Sequence, residues 1–259
     1  MNLEIFQVDA FTSKIFGGNP AAICPLESWL DAELMQKIAL ENNLSETAFF
    51  VEKKDFYELR WFTPTFEIDL CGHATLASAF VIFDILGSTE KALRFQTKSG
   101  LLTVEKQDDM LVLDFSARPA EKCETPKGLV EAVGKQPKEV LKSRDYLMVY
   151  ESEDEIRALN PNFAELLKID AHAVIVTAKG KDCDFVSRFF APEVGIFEDP
   201  VTGSAHCTLI PYWAEKLGKT ELFARQISAR GGELFCELKG DRVKIGGNAT
   251  LYLKGEIYI

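Results

Sequence analysis

Two short segments of the chain place titratable side chains and glycine at the start of an apolar helical pattern. In DLCGHAT, Asp69 lies three residues before Gly72, and His73 falls on the predicted first helical turn. In EDPVTGSAH, Asp199 lies four residues before Gly203. A helix N-terminus of this composition offers unpaired backbone amides and a partial positive charge, which suit it to binding a carboxylate. Both helix starts are therefore predicted to bind an acidic molecule.

Each of these residues also has a purely structural interpretation. The glycines can allow close packing beneath a helix start, Asp199 before Pro200 can open a turn, and His73 can be a core histidine. The glycine-containing start occurs twice in the same register, and this repetition favours the binding interpretation over packing alone.

A further carboxylate, Glu46, heads an apolar, strand-like segment in NNLSETAFFV. On the protein surface such a residue needs no function. In an apolar cleft, desolvation would raise the pKa of the carboxyl group and suit it to proton transfer near neutral pH. The position of Glu46 alone leaves both possibilities open.

The elements around these segments are duplicated along the chain. Two blocks recur in the same order, RWFTP with CGHATLASAFVIFDILG at 60–64 and 71–87, and RFFAP with TGSAHCTLIPYWAEKLG at 188–192 and 202–218. Gly72 matches Gly203 and Gly87 matches Gly218, both at an offset of 131 residues. Such internal repetition predicts two similar halves, each with a mixed or antiparallel sheet around a central apolar helix. A small acid is expected to bind in the cleft between the halves.

The boundary between the halves is predicted near residues 116–128, where proline and charge replace apolar alternation. We therefore expect an N-terminal half at residues 1–117 and a C-terminal half at 118–249. The last segment, 250–259, reads as a strand that could complete the N-terminal half.

Composition excludes several classes of partner. The 259 residues contain 29 Lys plus Arg and 40 Asp plus Glu, and this net charge of −11 would repel nucleic acid and anionic membranes. The apolar segment at 70–83 is too short to span a bilayer, and the N-terminus lacks a signal-peptide pattern, so we predict a cytoplasmic protein. Six widely spaced cysteines and three histidines show no metal-binding spacing, and no metal site is predicted.

Several motifs together resemble the PhzF family, the phenazine-biosynthesis isomerases and their relatives. These motifs are FQVDAFT with GGNPAAI, NLSETAF, RWFTP with DLCGHAT, and RFFAPEVGIFEDPVTGSAH, and they span nearly the whole chain. The resemblance implies an α+β, diaminopimelate epimerase-like fold, in which two pseudo-symmetric halves each roll a mainly antiparallel sheet around a central helix. It further implies a homodimer that needs no cofactor and acts on a small carboxylate or amino acid.

The resemblance also implies roles for individual residues. Glu46 would move a proton between two carbons of the substrate, with His73 and Asp199 in the same pocket. The substrate-binding residues it implies are Asn19, Ser45, Gly72, Gly203 and Ser204. Because Cys71 and Ala74 differ from the phenazine enzyme itself, the resemblance places the chain with the broader relatives and does not imply the phenazine substrate.

Two other functions are alternatives to this isomerase. Cofactor-free epimerases of the same fold use two opposed cysteines, but the corresponding positions here are Cys71 and Thr202, and a threonine hydroxyl is too weak a base at neutral pH. The remaining alternative is a non-enzymatic protein that binds a metabolite in the same cleft. Such a binder would have little need for Glu46, His73 and Asp199 together, so the sequence favours the isomerase.

Overall fold

The computed structural model describes residues 2–259 and, within them, every side chain except that of Val194. Within this described part, none of the helices has the length and apolar character that a membrane-spanning segment requires. The chain divides into two compact units. One comprises the residues up to Phe115 together with Ile245–Ile259, and the other comprises Ser116–Lys244.

The helices and strands follow one another in a similar order in both parts of the chain. The first part contains β1 (Asn2–Ala10), β2 (Asn19–Leu26), α1 (Ala32–Asn42), β3 (Glu46–Glu52), β4 (Tyr57–Phe62), β5 (Glu67–Ile68), α2 (Gly72–Phe80), β6 (Ala92–Thr97), β7 (Gly100–Gln107) and β8 (Met110–Ser116). The rest contains β9 (Glu121–Lys122), α3 (Leu129–Val133), β10 (Glu139–Lys142), β11 (Tyr146–Val149), α4 (Glu153–Ala158), α5 (Phe163–Leu166), β12 (Val174–Lys179), β13 (Phe185–Ala191), β14 (Ile196–Asp199), α6 (Gly203–Leu217), β15 (Glu221–Gln226), β16 (Gly232–Lys239), β17 (Arg242–Gly247) and β18 (Ala249–Tyr258).

The sheet of the first unit has the strand order β18–β1–β2–β3–β4–β6–β7–β8. The β2–β3 and β4–β6 pairs are parallel, the other pairs are antiparallel, and β5 adds a short antiparallel pairing to β4. The C-terminal strand β18 lies against the N-terminal strand β1, with Asn2 opposite Tyr258. The two ends of the chain therefore pair within one sheet.

The second unit repeats this arrangement. Its strands follow the order β9–β10–β11–β12–β13–β15–β16, the β11–β12 and β13–β15 pairs are parallel, and β14 pairs with β13. Parallel pairings thus occur at equivalent places in the two units. The duplicated sequence folds into a duplicated, mainly antiparallel topology, which agrees with the predicted α+β fold class.

Each unit contains a largely buried helix preceded by a short strand. In α2, all residues from His73 to Ala79 are buried, and the helix packs against β1, β2, β3, β7 and β18. The equivalent helix α6 ends at Leu217, where Gly218 takes up the left-handed conformation with a φ of 66° and stops the helix. Both helices are apolar on nearly every side, so the surrounding sheet must enclose them.

A tight turn places Asn19 at the start of β2. Gly18 within this turn has a φ of +61°, and a Cβ atom there would lie 2.1 Å from the carbonyl oxygen of Ala10. Only glycine fits such a position. The buried carboxylate of Asp9 accepts a hydrogen bond from the Phe16 amide at 2.9 Å and holds the same turn. The VDAFT and GGN motifs are therefore explained by the backbone path that leads to Asn19.

Helix α1 ends so that the chain turns directly into β3. Asn43 adopts the left-handed conformation with a φ of 49°, and its amide donates to the carbonyl of Ala39. Asparagine tolerates this conformation better than most residues. Half-buried Ser45 follows, and Glu46 then begins β3 with its side chain buried.

A bidentate arginine–glutamate pair holds the short strand ahead of the central helix in each unit. Arg60 binds Glu67 through two hydrogen bonds of 2.7 and 2.9 Å, and Arg188 binds Glu198 with the same two distances. The hydrogen bonds from Arg60, with a further contribution from Lys98, lower the pKa of Glu67 although burial raises it. A carboxyl group of this kind stabilises the fold above its unfolded pKa and loses that effect as the pH falls through its folded pKa.

We expect Glu67→Gln to lower the free energy of unfolding by about 2 kcal/mol near neutral pH, between the values typical of exposed and buried ion pairs. The exposed pair of Glu33 and Lys37 provides the control, and Glu33→Gln should leave stability unchanged. Urea unfolding followed by circular dichroism measures both variants. The loss of unfolding free energy in Glu67→Gln should become smaller at acidic pH. A loss that is independent of pH would contradict the role given to this carboxylate.

Candidate active site

The imidazole of His73 lies at the centre of a buried polar cluster in the first unit. His73 is on the first turn of α2, and its Nε2 atom lies 3.0 Å from Oε2 of Glu46 at the start of β3. The two atoms are close enough for a strong electrostatic contact. Neither has a hydrogen-bond partner among the described residues. Both are thus able to bond to a third group.

The other ring nitrogen of His73 faces two different side chains. Nδ2 of Asn19 lies 3.2 Å from Nδ1, and Sγ of Cys71 lies 3.5 Å from the same atom. Asn19 is fully buried, and its amide lies against the histidine ring. The ring is therefore held on one side by Glu46 and on the other by an amide and a thiol.

The surroundings of the ring determine its charge. Burial disfavours the imidazolium, but the Cys71 sulfur, as an acceptor beside Nδ1, and the negative charge of Glu46 beside Nε2 raise the pKa of His73 well above its usual value of 6.5. A raised pKa keeps the imidazolium protonated to higher pH. Burial and the negative charge of Glu46 raise the pKa of the Cys71 thiol to about 11, which keeps that thiol neutral.

The same cluster contains three side chains of types that bind metal ions. Glu46, Cys71 and His73 offer ligand atoms within 4.8 Å of one another, and they form the one such group found among the described residues. The acid and the thiol lie against opposite nitrogens of the imidazole. Because one ion binds a histidine through one nitrogen, this arrangement does not suit chelation of a single ion by all three side chains.

A second polar cluster lies at the start of α6 in the other unit. The Thr202 hydroxyl donates to Oδ2 of buried Asp199, and Nε2 of Gln226 donates to the Asp199 carbonyl at 2.8 Å. The Gln226 side chain also accepts from the Thr202 amide at 2.9 Å. These bonds hold Asp199 next to the first turn of the helix. Asp69, by contrast, is exposed, so the acids ahead of the two helices are not equivalent.

Ser204, on the first turn of α6, is oriented by an arginine. Nη2 of Arg144 donates to Oγ of Ser204 at 3.2 Å. Arg144 in turn makes a bidentate contact with buried Asp145, which also lies 3.0 Å from Nδ1 of His172. Burial raises the pKa of Asp145, but the hydrogen bonds from His172 and Arg144 outweigh it and lower the pKa below its usual value. Because Oγ of Ser204 already accepts from Arg144, its own hydrogen is left to donate.

The structure thus distributes the sequence-predicted residues between two clusters. Glu46, His73 and Asn19 lie together, with Ser45 next to Glu46 and Gly72 at the helix start, whereas Asp199, Gly203 and Ser204 belong to the start of α6. The sequence analysis missed Arg144 and Gln226. Arg144 precedes Ser204 by 60 residues, in a turn between two strands, and nothing in its local sequence distinguishes it from a surface arginine.

Comparison with known proteins identifies the family. Residues 8–255 match the family model of the phenazine biosynthesis-like proteins, PhzC-PhzF. An uncharacterized isomerase of Pseudomonas aeruginosa is 54% identical over 259 residues, with all of both chains covered. The phenazine biosynthesis-like domain-containing protein of Homo sapiens is 42% identical, with 99% of each chain covered.

Solved structures agree with this assignment. A PhzF-family protein of Enterococcus faecalis superposes with a TM-score of 0.98 at 48% identity over 100% of each chain. A hydroxyproline epimerase of Agrobacterium vitis has a TM-score of 0.64 at 11% identity, with 99% of this chain and 92% of that chain covered, and shares the fold. The names of the relatives support isomerase activity. The chain belongs to the phenazine biosynthesis-like, PhzC-PhzF family.

Proposed function

We propose that the protein is a cofactor-independent isomerase that shifts a proton on a small carboxylate or amino acid. The observation that carries the proposal is the buried contact of 3.0 Å between Glu46 and His73, in which both facing atoms lack a hydrogen-bond partner among the described residues. Buried polar atoms without partners are unfavourable, so such a pair is expected to serve a bound molecule.

In this proposal Glu46 is the general acid and base. Its carboxylate takes a proton from one substrate carbon, the electron pair of the broken C–H bond delocalises into the substrate, and Glu46 returns the proton to another carbon. The positive charge of His73 beside Glu46 stabilises the negative charge that develops, since opposite charges interact strongly in a buried site. No second base is needed for a transfer of this kind.

Each helix start is proposed as a binding place for a carboxylate group. The unpaired amides at Gly72 and Gly203 offer donors, and Ser45 is proposed as an additional polar contact beside Glu46. At α6, Ser204 is left with a hydrogen to donate, and Arg144 contributes a positive charge next to it. Asp199 is proposed as the auxiliary proton partner on this side.

The non-enzymatic alternative keeps the same helix starts but performs no chemistry. It accounts for Ser204 and Arg144, which only need to bind an acid. It gives no reason for placing the buried imidazolium of His73 against Glu46, an arrangement that is costly to bury. We therefore favour the isomerase.

We expect the protein to place deuterium on carbon when it is incubated in D2O with its substrate. A panel of amino acids and cyclic carboxylic acids, including trans-4-hydroxy-L-proline, is followed by NMR. Glu46→Gln should reduce exchange and isomerisation at least a hundredfold, because the amide cannot accept the proton. The exposed Glu33→Gln serves as the control. Wild-type turnover in the Glu46→Gln protein would overturn the assignment, and tight binding of an acid without exchange would favour the binder.

We expect Ser204→Ala to raise KM about tenfold with kcat nearly unchanged, because the variant loses one hydrogen bond to a charged group. Steady-state kinetics with the acid identified in the panel measures the effect. Ser99→Ala, in the exposed turn between β6 and β7, is the control. If KM stayed constant and kcat fell instead, Ser204 would take part in the proton transfer rather than in carboxylate binding.

We also propose that the protein forms a homodimer through an apolar surface on β18. Leu251, Tyr252 and Leu253 are 36, 47 and 42% exposed, and Phe16, 64% exposed, packs edge-on against Tyr252 at 5.6 Å. Three consecutive large apolar residues exposed on one strand are unusual for a surface that remains in water. A second copy of the chain is the proposed occupant.

Light scattering at micromolar concentration should report twice the mass of the 29.0 kDa chain. Replacing Leu251 and Leu253 by glutamate should yield the monomer, because two charges would be buried in the interface. Leu167→Glu, at an exposed position of the other unit, is the control and should remain dimeric. A monomeric wild type would refute the dimer, and a dimeric double variant would place its interface elsewhere.

A further inference from the structure

When the His73 ring is charged, its Nδ1 atom needs a hydrogen-bond acceptor, and Asn19 alone does not provide one. Asn19 presents its Nδ2 atom, which can only donate, to Nδ1 of the ring at 3.2 Å. This suits a neutral imidazole whose Nδ1 accepts. When the ring becomes an imidazolium, Nδ1 carries a hydrogen and needs an acceptor instead.

The Cys71 thiol satisfies Nδ1 in both states. Its sulfur lies 3.5 Å from Nδ1, and a thiol can donate its S–H hydrogen or accept at sulfur. Rotation about the Cβ–Sγ bond changes one role into the other without moving heavy atoms. Serine shares this ability, whereas alanine has neither role.

We propose that Cys71 is a positioning residue whose sulfur accepts the hydrogen that the His73 imidazolium carries on Nδ1, and so keeps the ring in place beside Glu46. The inference rests on the proposed function, since it concerns the positive charge that His73 is proposed to hold beside Glu46. Cys71 itself neither attacks the substrate nor takes its proton, and its raised pKa keeps it a neutral thiol.

The repeat provides independent support. Cys71 immediately precedes α2, and Thr202 stands at the equivalent position before α6. The Thr202 hydroxyl donates to Asp199, the titratable group proposed for the other unit. In both units, the residue before the helix thus contacts the local acid–base side chain. The thiol of the buried Cys24, in contrast, makes no hydrogen bond with the described residues, and burial alone raises its pKa to about 12.

The test compares Cys71→Ser and Cys71→Ala, with Cys24→Ala as the matched control. Nitrogen-15 NMR of the histidines in the free protein at one fixed pH reports whether each ring nitrogen carries a hydrogen. We expect wild type, Cys71→Ser and Cys24→Ala to share one His73 signature. Cys71→Ala should show altered or exchange-broadened His73 signals. Cys71→Val preserves an apolar side chain without a donor, and it replaces the alanine variant if that protein does not fold.

Kinetics provides the second measurement. Cys71→Ala should lower kcat about tenfold, the effect of losing one hydrogen bond to a charged group, with little change in KM. Cys71→Ser should restore most of the loss. A folded alanine variant with the wild-type His73 spectrum, or a serine variant as impaired as the alanine one, would overturn the inference. Altered His73 spectra without isomerisation of any panel acid would instead refute the proposed function.

Discussion

The candidate site depends on one buried imidazole ring whose charged form is stabilised by its neighbours. An imidazolium is costly to remove from water unless an opposite charge lies beside it, and here Glu46 provides that charge at 3.0 Å from Nε2. Three pieces of local structure bring the ring and its partners together. The left-handed Asn43 turns the chain so that β3 begins with Glu46, the Gly18 turn places Asn19 under the ring, and the start of α2 carries His73 itself.

The duplicated architecture provides two similar helix starts that carry different chemistry. Each follows a short strand held by a bidentate arginine–glutamate pair, and each begins with glycine behind a small polar residue. At α2 that residue, Cys71, contacts an imidazole. At α6, Thr202 contacts a carboxylate, and Arg144 adds a positive charge. A repeated scaffold can therefore diverge by changing few side chains while the backbone amides remain available at both places.

The sequence was informative where spacing determines structure. The offset of 131 residues between Gly72 and Gly203 was enough to predict two like halves around central helices, and both helices begin at those glycines. The sequence did not predict contacts between segments that are distant along the chain. Arg144 reaches Ser204 only because the turn before β11 lies near the start of α6, and no local pattern encodes that contact. The sequence likewise did not predict that Asn19 and Cys71 both face Nδ1 of His73, since these two residues belong to different elements.

The measurement that tests the central claim most directly is a pH titration of His73 by nitrogen-15 NMR, in the wild type and in Glu46→Gln. Because Glu46 stabilises the imidazolium, the wild-type protein should keep His73 protonated well above the usual pKa of 6.5, and the variant should lose that proton at lower pH. A wild-type His73 whose pKa lies at or below 6.5 would contradict a charged pair of Glu46 and His73 in this site. A His73 pKa that Glu46→Gln leaves unchanged would contradict it as well.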